Sequence, residues 1–523
     1  MSEIPAAADH AVAVRPKDLR FWLMLLSLCM ALFLSALEFT GVATALPTIA
    51  ADLHGEGFVW VGSAYALASS AILPMTGALA QTFGRRHSFL ASIALFTIGS
   101  AICGAAKNMG MLIGARTIQG LGGGGIMSLT TIIIGDMVPL HERGLYAGVC
   151  FGFTWSLGAA IGAVVGGSLA NIGQWRWLFY LNLPLCGLSG GLAVVLLNLP
   201  TPPGTWRNKL SQMDWIGNFL VIAATCSITI ALTFGGINFP WSSVHILAPL
   251  VIGLVGLIFF IVYDAIWAQY PLVPFSILAN RTSFSGQNFI TPMTMVAIIY
   301  YLPVYFQACK DADPISSAVR SFGFALVGPA SIVGGVSVKI LKRYRPQLWI
   351  AWALQIIGSG LLTTLKVDTS TAATVGFCLL YGAGAGIIYS VAIFPVQAPL
   401  PVTQTAHPLA FYSFMRVFAG VWGVTIGGAI LQNGLLHRLP EEFLNQFPGG
   451  VAIAYSVIPQ IRDLPQPLKH EVQIAFAESL SVVWKVLVGL SGLGLVSSWL
   501  MRGLPLHTVT DKEWDPSKEV SQS

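Results

Sequence analysis

The sequence predicts an all-α integral membrane protein with about fourteen transmembrane helices in a 6+2+6 arrangement. Only 9% of its 523 residues are charged and 55% are hydrophobic, whereas a soluble domain carries roughly 25% charged residues. The mean hydropathy is +0.74. Apolar runs of about 20 residues, the length that crosses a bilayer core, recur along the whole chain. So few charged residues cannot form a water-exposed surface for two soluble domains, and lipid must therefore cover most of the protein.

The apolar runs predict the individual spans, and their even number places both termini on the same side of the membrane. A pair of extra spans separates two groups of six. The predicted spans lie near 21–46, 58–80, 88–106, 109–134, 145–170, 177–198, 214–235, 244–266, 284–307, 318–338, 348–366, 373–397, 406–433 and 480–500.

Basic residues in the short loops predict that both termini are cytoplasmic. With the N-terminus inside, the inner loops hold most of the lysines and arginines, and the outer short loops hold only Lys107, Arg176, Lys310 and Lys366. The sequon at Asn280 then faces the cytosol, so no glycosylation is expected. The predicted parts are a tail (1–20), a six-helix bundle (21–198), a linker with two helices (199–283), a second bundle (284–500, with a large outer loop at 434–479) and a tail (501–523).

Several function classes are excluded by what the sequence lacks. The net charge of +5 is not concentrated in a basic, aromatic-interleaved face, so no nucleic-acid partner is expected. The seven cysteines lie singly, without the spacing of a metal site. There is no phosphate-binding loop and no room for a soluble nucleotide-binding domain. We therefore expect no cofactor and no metal, with energy from an ion gradient or from downhill flow.

Six short segments occur in a characteristic order. They are Leu37-Glu38-Phe39-Thr40 with Ala45-Leu46-Pro47, GALAQTFGRR at 77–86, RTIQGLG at 116–122, the glycines at 158, 162, 166 and 167, WRWLFYLNLP at 175–184, and YYLPVYFQ at 300–307.

Together these segments resemble the major facilitator superfamily, in particular its fourteen-helix drug:proton antiporter branch in fungi. The resemblance implies two six-helix halves that work by alternating access, with proton-coupled export of drugs, toxins or secondary metabolites. The sequence departs from the family pattern at four positions. Gln81 and Thr82 replace a loop aspartate and arginine, Ala163 replaces a proline, and the acid of the first helix is Glu38 rather than aspartate.

Glu38 and Arg116 are the strongest candidates for proton coupling. An ionised carboxylate inside a membrane helix is costly and usually faces a cavity or a partner. At a rise of 1.5 Å per residue, both residues lie about 10–12 Å below the outer surface, so a Glu38–Arg116 pair is geometrically allowed. The functional hypothesis is a protonatable carboxylate influenced by a nearby cation. The alternative is a static ion pair that stabilises helix packing.

Two further groups of residues have predicted mechanical roles. A cytoplasmic gate or structural cluster is expected at the inner loops, and the glycines at four-residue spacing are expected to pack the fifth span against its counterpart in the other half. For the glycines, the alternative is plain packing without movement. The gate set is Gly77, Gln81, Gly84, Arg85, Arg86, Asp136, Glu142 and Arg143, and the packing set is Gly158, Gly162, Gly166 and Gly167.

Polar and aromatic residues on the helices expected around the centre are candidates for lining a substrate cavity. A lone buried carboxylate with aromatic walls favours lipophilic amines, through charge and cation–π attraction. The candidates are Thr40, Gln119, Asn288, Thr291, Tyr300, Tyr381, Tyr389, Gln397, Phe411, Phe414 and Arg416.

The sequence thus predicts a secondary active transporter, not an enzyme, that exports small organic molecules with protons as the coupling ion. We expect a monomer in the lipid bilayer, in the plasma membrane or alternatively in the vacuolar membrane. Two other functions stay open at this point. One is a vacuolar transporter of basic amino acids, and the other is a membrane sensor that does not transport.

Overall fold

Long helices account for nearly all of the chain that a computed structural model describes. Most of both predicted tails, parts of the predicted linker loop at 199–213 and part of the predicted outer loop at 434–479 lie outside the described residues. The described residues are 11–12, 17–53, 59–197, 205–211, 213–236, 239–273, 280–401, 405–445, 458, 461–506 and 510–511.

The N-terminal half contains six long helices, which we label α1–α6. Two of them are irregular. The fifth passes through a π-helical turn at Gly148–Thr154, and the sixth is divided at Leu181 into Arg176–Tyr180 and Asn182–Leu196. The bounds are α1 Leu19–Asp52, α2 Val59–Phe83, α3 Arg85–Gly104, α4 Met109–Met137, α5 Leu140–Asn171 and α6 Arg176–Leu196.

Two further helices, α7 (Trp215–Phe234) and α8 (Val244–Ile266), follow a short helix at Trp206–Ser211. Helix α7 packs beside α2 of the first half and beside the helix Ala406–Arg438 of the second half. Helix α8 packs mainly on α7 and leaves most of its apolar surface on the outside. Such a helix is stable only in an apolar solvent, which agrees with a membrane location.

The C-terminal half contains α9–α14. Three of these helices carry a short segment at one end, and a short helix at Glu441–Asn445 follows α13. The bounds are α9 Arg281–Gly286 and Ile290–Lys310, α10 Val327–Leu341 after Pro314–Arg320 and a 3-10 stretch at Ser321–Leu326, α11 Arg345–Leu362, α12 Thr371–Val391 and Ile393–Gln397, α13 Ala406–Arg438, and α14 Leu468–Trp499.

These helices confirm the predicted all-α membrane fold, and the count and the 6+2+6 arrangement agree with it. Within the described residues, thirteen helices are long and apolar enough to cross a membrane, and α11, which is not among them, brings the number of long helices to fourteen. Strand β1 (Ala11–Val12) pairs antiparallel with strand β2 (Thr510–Asp511). The two ends of the chain therefore lie on the same side, which we call the inner side.

The last helix begins at Leu468, well before the predicted span at 480, and α13 continues to Arg438. The segment between them is therefore shorter than the predicted loop 434–479. Val472 and Phe476 explain the early start, because one apolar face of the extra turns packs into the core of the C-terminal half. Lys469 at the beginning of α14 pairs with Asp311 at 2.9 Å.

Candidate functional site

A buried ion pair joins α1 and α4 inside the N-terminal half. Glu38 Oε1 accepts a hydrogen bond from Arg116 Nη1 at 2.8 Å, and both side chains are buried. Asn182 of α6 donates to the second carboxylate oxygen of Glu38 at 2.6 Å. The structure thus brings together the two residues whose depths match in the sequence, and both oxygens of Glu38 are engaged.

Arg116 links this ion pair to α2 and α3. Its Nε donates to the Val61 carbonyl at 3.0 Å, and its Nη1 also donates to Gln119 Oε1 at 2.7 Å. Gln119 donates in turn to the Ser100 hydroxyl at 2.7 Å, and the Tyr65 ring lies 4.5 Å from the guanidinium carbon. Gln119 is fully buried in this network, so it supports the ion pair here and does not line a cavity.

The loop between α2 and α3 is anchored to the inner end of α4. Arg85 Nε contacts Asp136 Oδ2 at 2.9 Å, and both side chains are buried. Gly84 precedes α3 with a φ of 88°, a conformation that side chains rarely adopt and glycine adopts without strain. Arg86 turns instead towards α6 and donates to the Val194 carbonyl at 2.5 Å. Of these predicted gate residues, Arg85 and Asp136 thus contact each other, and Arg86 lies towards α6.

Polar side chains connect the two halves on the inner side. Arg143 of α5 donates to Gln397 Oε1 at 2.6 Å and to the Val138 carbonyl at 2.9 Å. The neighbouring Glu142 pairs with Lys339 of α10 at 3.0 Å. Gln397 was a candidate for the cavity, but its side chain is buried at this inner junction between the halves.

The segment that precedes α1 also reaches this junction. Lys17 donates to Glu142, and its ammonium lies 4.9 Å from the Tyr146 ring centroid. Burial is the largest influence on the pKa of Lys17 and lowers it, but hydrogen bonds with Glu142 and Tyr146 raise it, and the net result is a raised pKa. Lys17 therefore stays charged, and Glu142 contacts one cation from the N-terminal segment and another, Lys339, from the C-terminal half.

A second inner contact between the halves joins α2 to α13. Gln81 Oε1 lies 3.2 Å from Nε2 of His407, whose Nδ1 lies 3.2 Å from the Leu272 carbonyl. A Cβ at Gly77 would lie 3.1 Å from the Cβ of Ala410. Gly77 and Gln81, both predicted gate residues, thus lie where the two halves meet.

The glycines of the second half of α5 pack against α1, within the same half of the protein. A Cβ at Gly158, Gly162 or Gly166 would lie 2.7, 2.3 or 2.3 Å from an α1 carbonyl oxygen, and the Thr40 hydroxyl donates back to α5 at 2.8 Å. Nothing lies within 4 Å of a Cβ at Gly167. The prediction that this face contacts the other half is wrong, because backbone-to-backbone packing on α1 already covers it.

An earlier glycine row on α5 makes the contact with the other half instead. A Cβ built at Gly335 of α10 would lie 2.4 Å from the backbone of Gly144, and one at Gly148 would lie 2.7 Å from the Ser331 carbonyl. A Cβ at Gly152 would overlap the Ser331 hydroxyl. Sequence reasoning missed this row, although it has the same four-residue spacing. Small residues at this spacing allow two helices to approach closely in lipid.

Comparison with known proteins identifies the family. Residues 28–424 match the sequence model described as Major Facilitator Superfamily. The chain belongs to this superfamily. It is similar to the efflux pump FUS6 of Gibberella fujikuroi, with 37% identity over 519 residues that cover 97% of this chain and 93% of the relative. It is also 36% identical to the MFS-type efflux pump LUC4 of Fusarium sp, over 97% of this chain and 93% of that protein.

Solved structures show the same major facilitator fold. The human organic anion transporter MFSD10 aligns with a TM-score of 0.59 and 14% identity, covering 93% of this chain and all of that one. The proton:xylose symporter XylE aligns with a TM-score of 0.57 and 13% identity, covering 94% and 99% of the two chains. The predicted membership is confirmed, and this superfamily member is a multi-pass membrane transporter.

Several candidate cavity residues of this major facilitator are packing residues. Phe414 stacks on Phe418 with ring centroids 5.4 Å apart, and Phe411 lies 6.2 Å from Phe414. This aromatic row of α13 packs with Leu73 of α2 and Ile228 of α7. Phe411 and Phe414 therefore hold the two halves and α7 together.

Tyr381 belongs to the core of the C-terminal half of the transporter. Its hydroxyl lies 2.7 Å from the Thr294 hydroxyl and accepts from Gln355 at 3.1 Å, and the side chain is fully buried. Thr291, one turn before Thr294 on α9, is also fully buried. Tyr300 on the same helix is 44% exposed. The structure thus separates these candidates, and Tyr300 alone of these three is accessible.

Arg416 and Tyr389 are the two candidate cavity residues that the structure brings into direct contact. The guanidinium carbon of Arg416 lies 4.2 Å from the ring centroid of Tyr389 on α12. The same carbon lies 5.4 Å from the rings of Tyr412 and Phe151. Asn288, between the two segments of α9, is buried and lies close enough to Tyr412 to interact with its hydroxyl. An arginine of one half therefore contacts a ring of the other half near the centre of the protein.

Proposed function

We propose that this protein exports small organic molecules, such as secondary metabolites, toxins or drugs, by proton-coupled alternating access. The observation that carries the proposal is the inner junction, where Gly144, Gly148 and Gly152 pack on α10 beside the Arg143–Gln397 hydrogen bond. Contacts of this kind can separate without unfolding either half, as alternating access requires. The direction of transport is supported by relatives named as efflux pumps that align over 97% of the chain.

Glu38 is the proposed proton carrier. Its carboxylate is neutralised by Arg116 in the arrangement described here, and protonation would remove that charge. Arg116 would then keep its bonds to the Val61 carbonyl and to Gln119. Exchange of a proton at Glu38 therefore changes the strength of the α1–α4 contact, while the guanidinium retains hydrogen-bond acceptors.

Helix α5 gives this change a physical route to the inner junction. Gly162 packs on the carbonyl of Leu37, the residue before Glu38, and Gly148 on the same helix packs on Ser331 of the other half. Interdigitated backbones of this kind move together, because neither helix has flexible side chains between them. A shift of α1 on protonation of Glu38 would therefore move α5 relative to α10.

We propose that the protein is a monomer, since one chain contains both halves. We also propose that it lies in the plasma membrane. The test is expression in a yeast strain that lacks its main drug efflux pumps, with localisation of a tagged protein and measurement of retained compound. We expect cells that express the protein to retain less substrate than cells that do not. Export should be lost when an uncoupler collapses the proton gradient. Uptake of lysine or arginine into isolated vacuoles would instead support a vacuolar basic amino-acid transporter.

Flux measurements in reconstituted vesicles distinguish a transporter from a membrane sensor. An imposed proton gradient should drive substrate accumulation by the wild-type protein, and Glu38→Gln should abolish this while leaving exchange of labelled for unlabelled substrate. Signalling changes in cells without any flux in vesicles would contradict the proposal and support a membrane sensor.

A further inference from the structure

Arg416 is a membrane-embedded cation without a carboxylate partner in the part of the chain that the structure describes. It lies ten residues after the start of α13, about 15 Å along the helix axis and hence near the bilayer centre. The buried guanidinium groups of Arg85 and Arg116 each contact a carboxylate, Asp136 and Glu38, but no described salt bridge includes Arg416. Among the described residues, the positive charge of Arg416 therefore has no negative partner.

Aromatic rings surround this guanidinium from both halves. Tyr389 and Tyr412 belong to the C-terminal half and Phe151 to the N-terminal half, and their ring centroids lie 4.2–5.4 Å from the Arg416 guanidinium carbon. Arg416 itself is partly accessible. Because it reaches from α13 of one half to α5 of the other, the Arg416 side chain lies between the two halves.

The Tyr412 hydroxyl supports the presence of a binding space beside Arg416. It is buried and makes no hydrogen bond of normal geometry within the described residues, although Asn288 and Arg416 lie near enough to interact with it. A buried hydroxyl without a partner is destabilising, unless water or a ligand satisfies it. The Tyr412 ring beside the guanidinium thus also presents a hydroxyl that makes no hydrogen bond of normal geometry with the described residues.

Cation–π contacts cannot balance the charge of Arg416. Each cation–π contact is a weak stabilising interaction, whereas an unpaired ion at membrane depth is strongly destabilising. An organic anion would supply the missing negative charge. A guanidinium binds a carboxylate through two parallel hydrogen bonds, and the surrounding rings stack on a flat, apolar body.

We infer that Arg416, Tyr389, Tyr412 and Phe151 form a binding site for organic acids, namely molecules that carry a carboxylate or an acidic enol on an unsaturated apolar body. This inference deepens the proposed function and rests on it, because it takes the interior between the halves as the substrate path. It differs from the sequence-based expectation of lipophilic amines. Glu38 is fully buried and both of its oxygens are bound, so no carboxylate surface is available to an amine there.

The test uses three probes that share a naphthalene ring and differ in charge at pH 7. These are 2-naphthoic acid, neutral 2-naphthamide and cationic 2-naphthylmethylamine, measured by equilibrium binding to the full-length protein in nanodiscs. We expect the acid to bind at least about tenfold more tightly than the amide, as a charge-assisted pair provides, and the amine to bind most weakly.

Arg416→Gln should reduce the advantage of the acid over the amide to within about twofold, with the affinity for the amide unchanged. Arg416→Lys should retain part of the preference for the acid over the amide. Lysine keeps the positive charge but lacks the planar guanidinium that forms two parallel hydrogen bonds. The matched control is Lys485→Gln, which removes an exposed cation of α14 and should change nothing. If Arg416→Gln does not fold, Tyr389→Leu replaces it and should weaken all three probes while keeping their order.

Equal binding of acid and amide to the wild-type protein, tighter binding of the amine, or no binding of any probe would overturn the inference. Retention of the acid preference by Arg416→Gln would also overturn it. The proposed function fails separately, if reconstituted vesicles show no proton-driven flux of any compound. Flux of the amide without preference for the acid would contradict the inference alone.

Discussion

Arg143 and Gln397 lie 254 positions apart in the sequence, and a 2.6 Å hydrogen bond joins them across the two halves. Both side chains are buried. Arg143 also donates a hydrogen bond to the carbonyl of Val138, which lies just before α5. Its link to Gln397 is therefore a contact that must break whenever the inner side of the transporter opens.

Replacement of Gln397 by leucine should favour the open inner side. It leaves the Arg143 guanidinium without one acceptor, at a cost of about 1–3 kcal/mol to the closed arrangement. A cysteine at Ser390, which is buried beside Gly144, should then react several-fold faster with a thiol reagent in a cysteine-depleted background. Gln355→Leu is the matched control, because Gln355 bonds to Tyr381 inside one half. Equal labelling in both variants would contradict the prediction.

The glycine row at the junction makes a steric prediction. Gly148→Ala places a Cβ 2.7 Å from the Ser331 carbonyl, which hinders close approach of α5 and α10 at a cost of about 1–3 kcal/mol. We expect transport to fall by about tenfold or more, the factor that corresponds to 1.4 kcal/mol. Gly167→Ala should be neutral, since nothing lies within 4 Å of its Cβ. Flux measured in reconstituted vesicles distinguishes them, and equal losses would refute a role in closure.

Gly162→Ala should lower the stability of the N-terminal half. Its Cβ would lie 2.3 Å from the Leu37 carbonyl within the N-terminal half. The backbones of α1 and α5 would have to separate, so we expect a lower unfolding temperature in thermal denaturation of the purified protein. An unchanged unfolding temperature together with an altered accessibility of the inner junction would contradict this assignment.

Glu38→Gln should abolish proton coupling and weaken the fold. The amide keeps the shape of the carboxylate but leaves Arg116 buried without its counter-ion, which costs about 3–5 kcal/mol. The control is Glu478→Gln, because that carboxylate is 62% exposed and pairs with Arg438 at 3.4 Å, so the change should stay within about 1 kcal/mol. Unfolding curves and gradient-driven uptake measure the two effects. Full uptake by Glu38→Gln would remove this residue from the coupling mechanism.

Gln81→Glu should stabilise the closed inner side. The replacement puts a carboxylate of the same length 3.2 Å from the His407 ring, and a hydrogen bond to a charged group contributes about 1.5–3 kcal/mol. Labelling of the Ser390→Cys reporter should therefore slow. Faster labelling would contradict the prediction that a carboxylate at position 81 strengthens the contact with His407.

Much of the site could be predicted from particular residues. Glu38 and Arg116 are recognisable because each is a charged residue in an apolar run, and helical rise places them at equal depth. The partners of Glu38 could not all be predicted in this way. Asn182 is a neutral residue far along the chain, and only the packing of α6 beside α1 shows that it donates to the carboxylate.

The glycine rows show the limit of sequence periodicity. Gly144–Gly152 and Gly158–Gly166 have the same spacing, which indicates close helix contact without naming the partner helix. The structure assigns the first row to α10 and the second to α1. Gln397 likewise belongs to an apolar span in the sequence but contacts Arg143 at the inner junction, because α12 continues as the segment Ile393–Gln397.

Composition and the length of the apolar runs determined by themselves that this chain is a bundle of membrane helices, since these properties depend only on how each segment partitions between water and lipid. The order of short motifs determined its family. Which charges are neutralised was decided by tertiary structure alone. In the part of the chain that the structure describes, Glu38 has a counter-ion from α4, whereas Arg416 contacts aromatic residues and no carboxylate. Such differences depend on distances between helices that no single segment encodes.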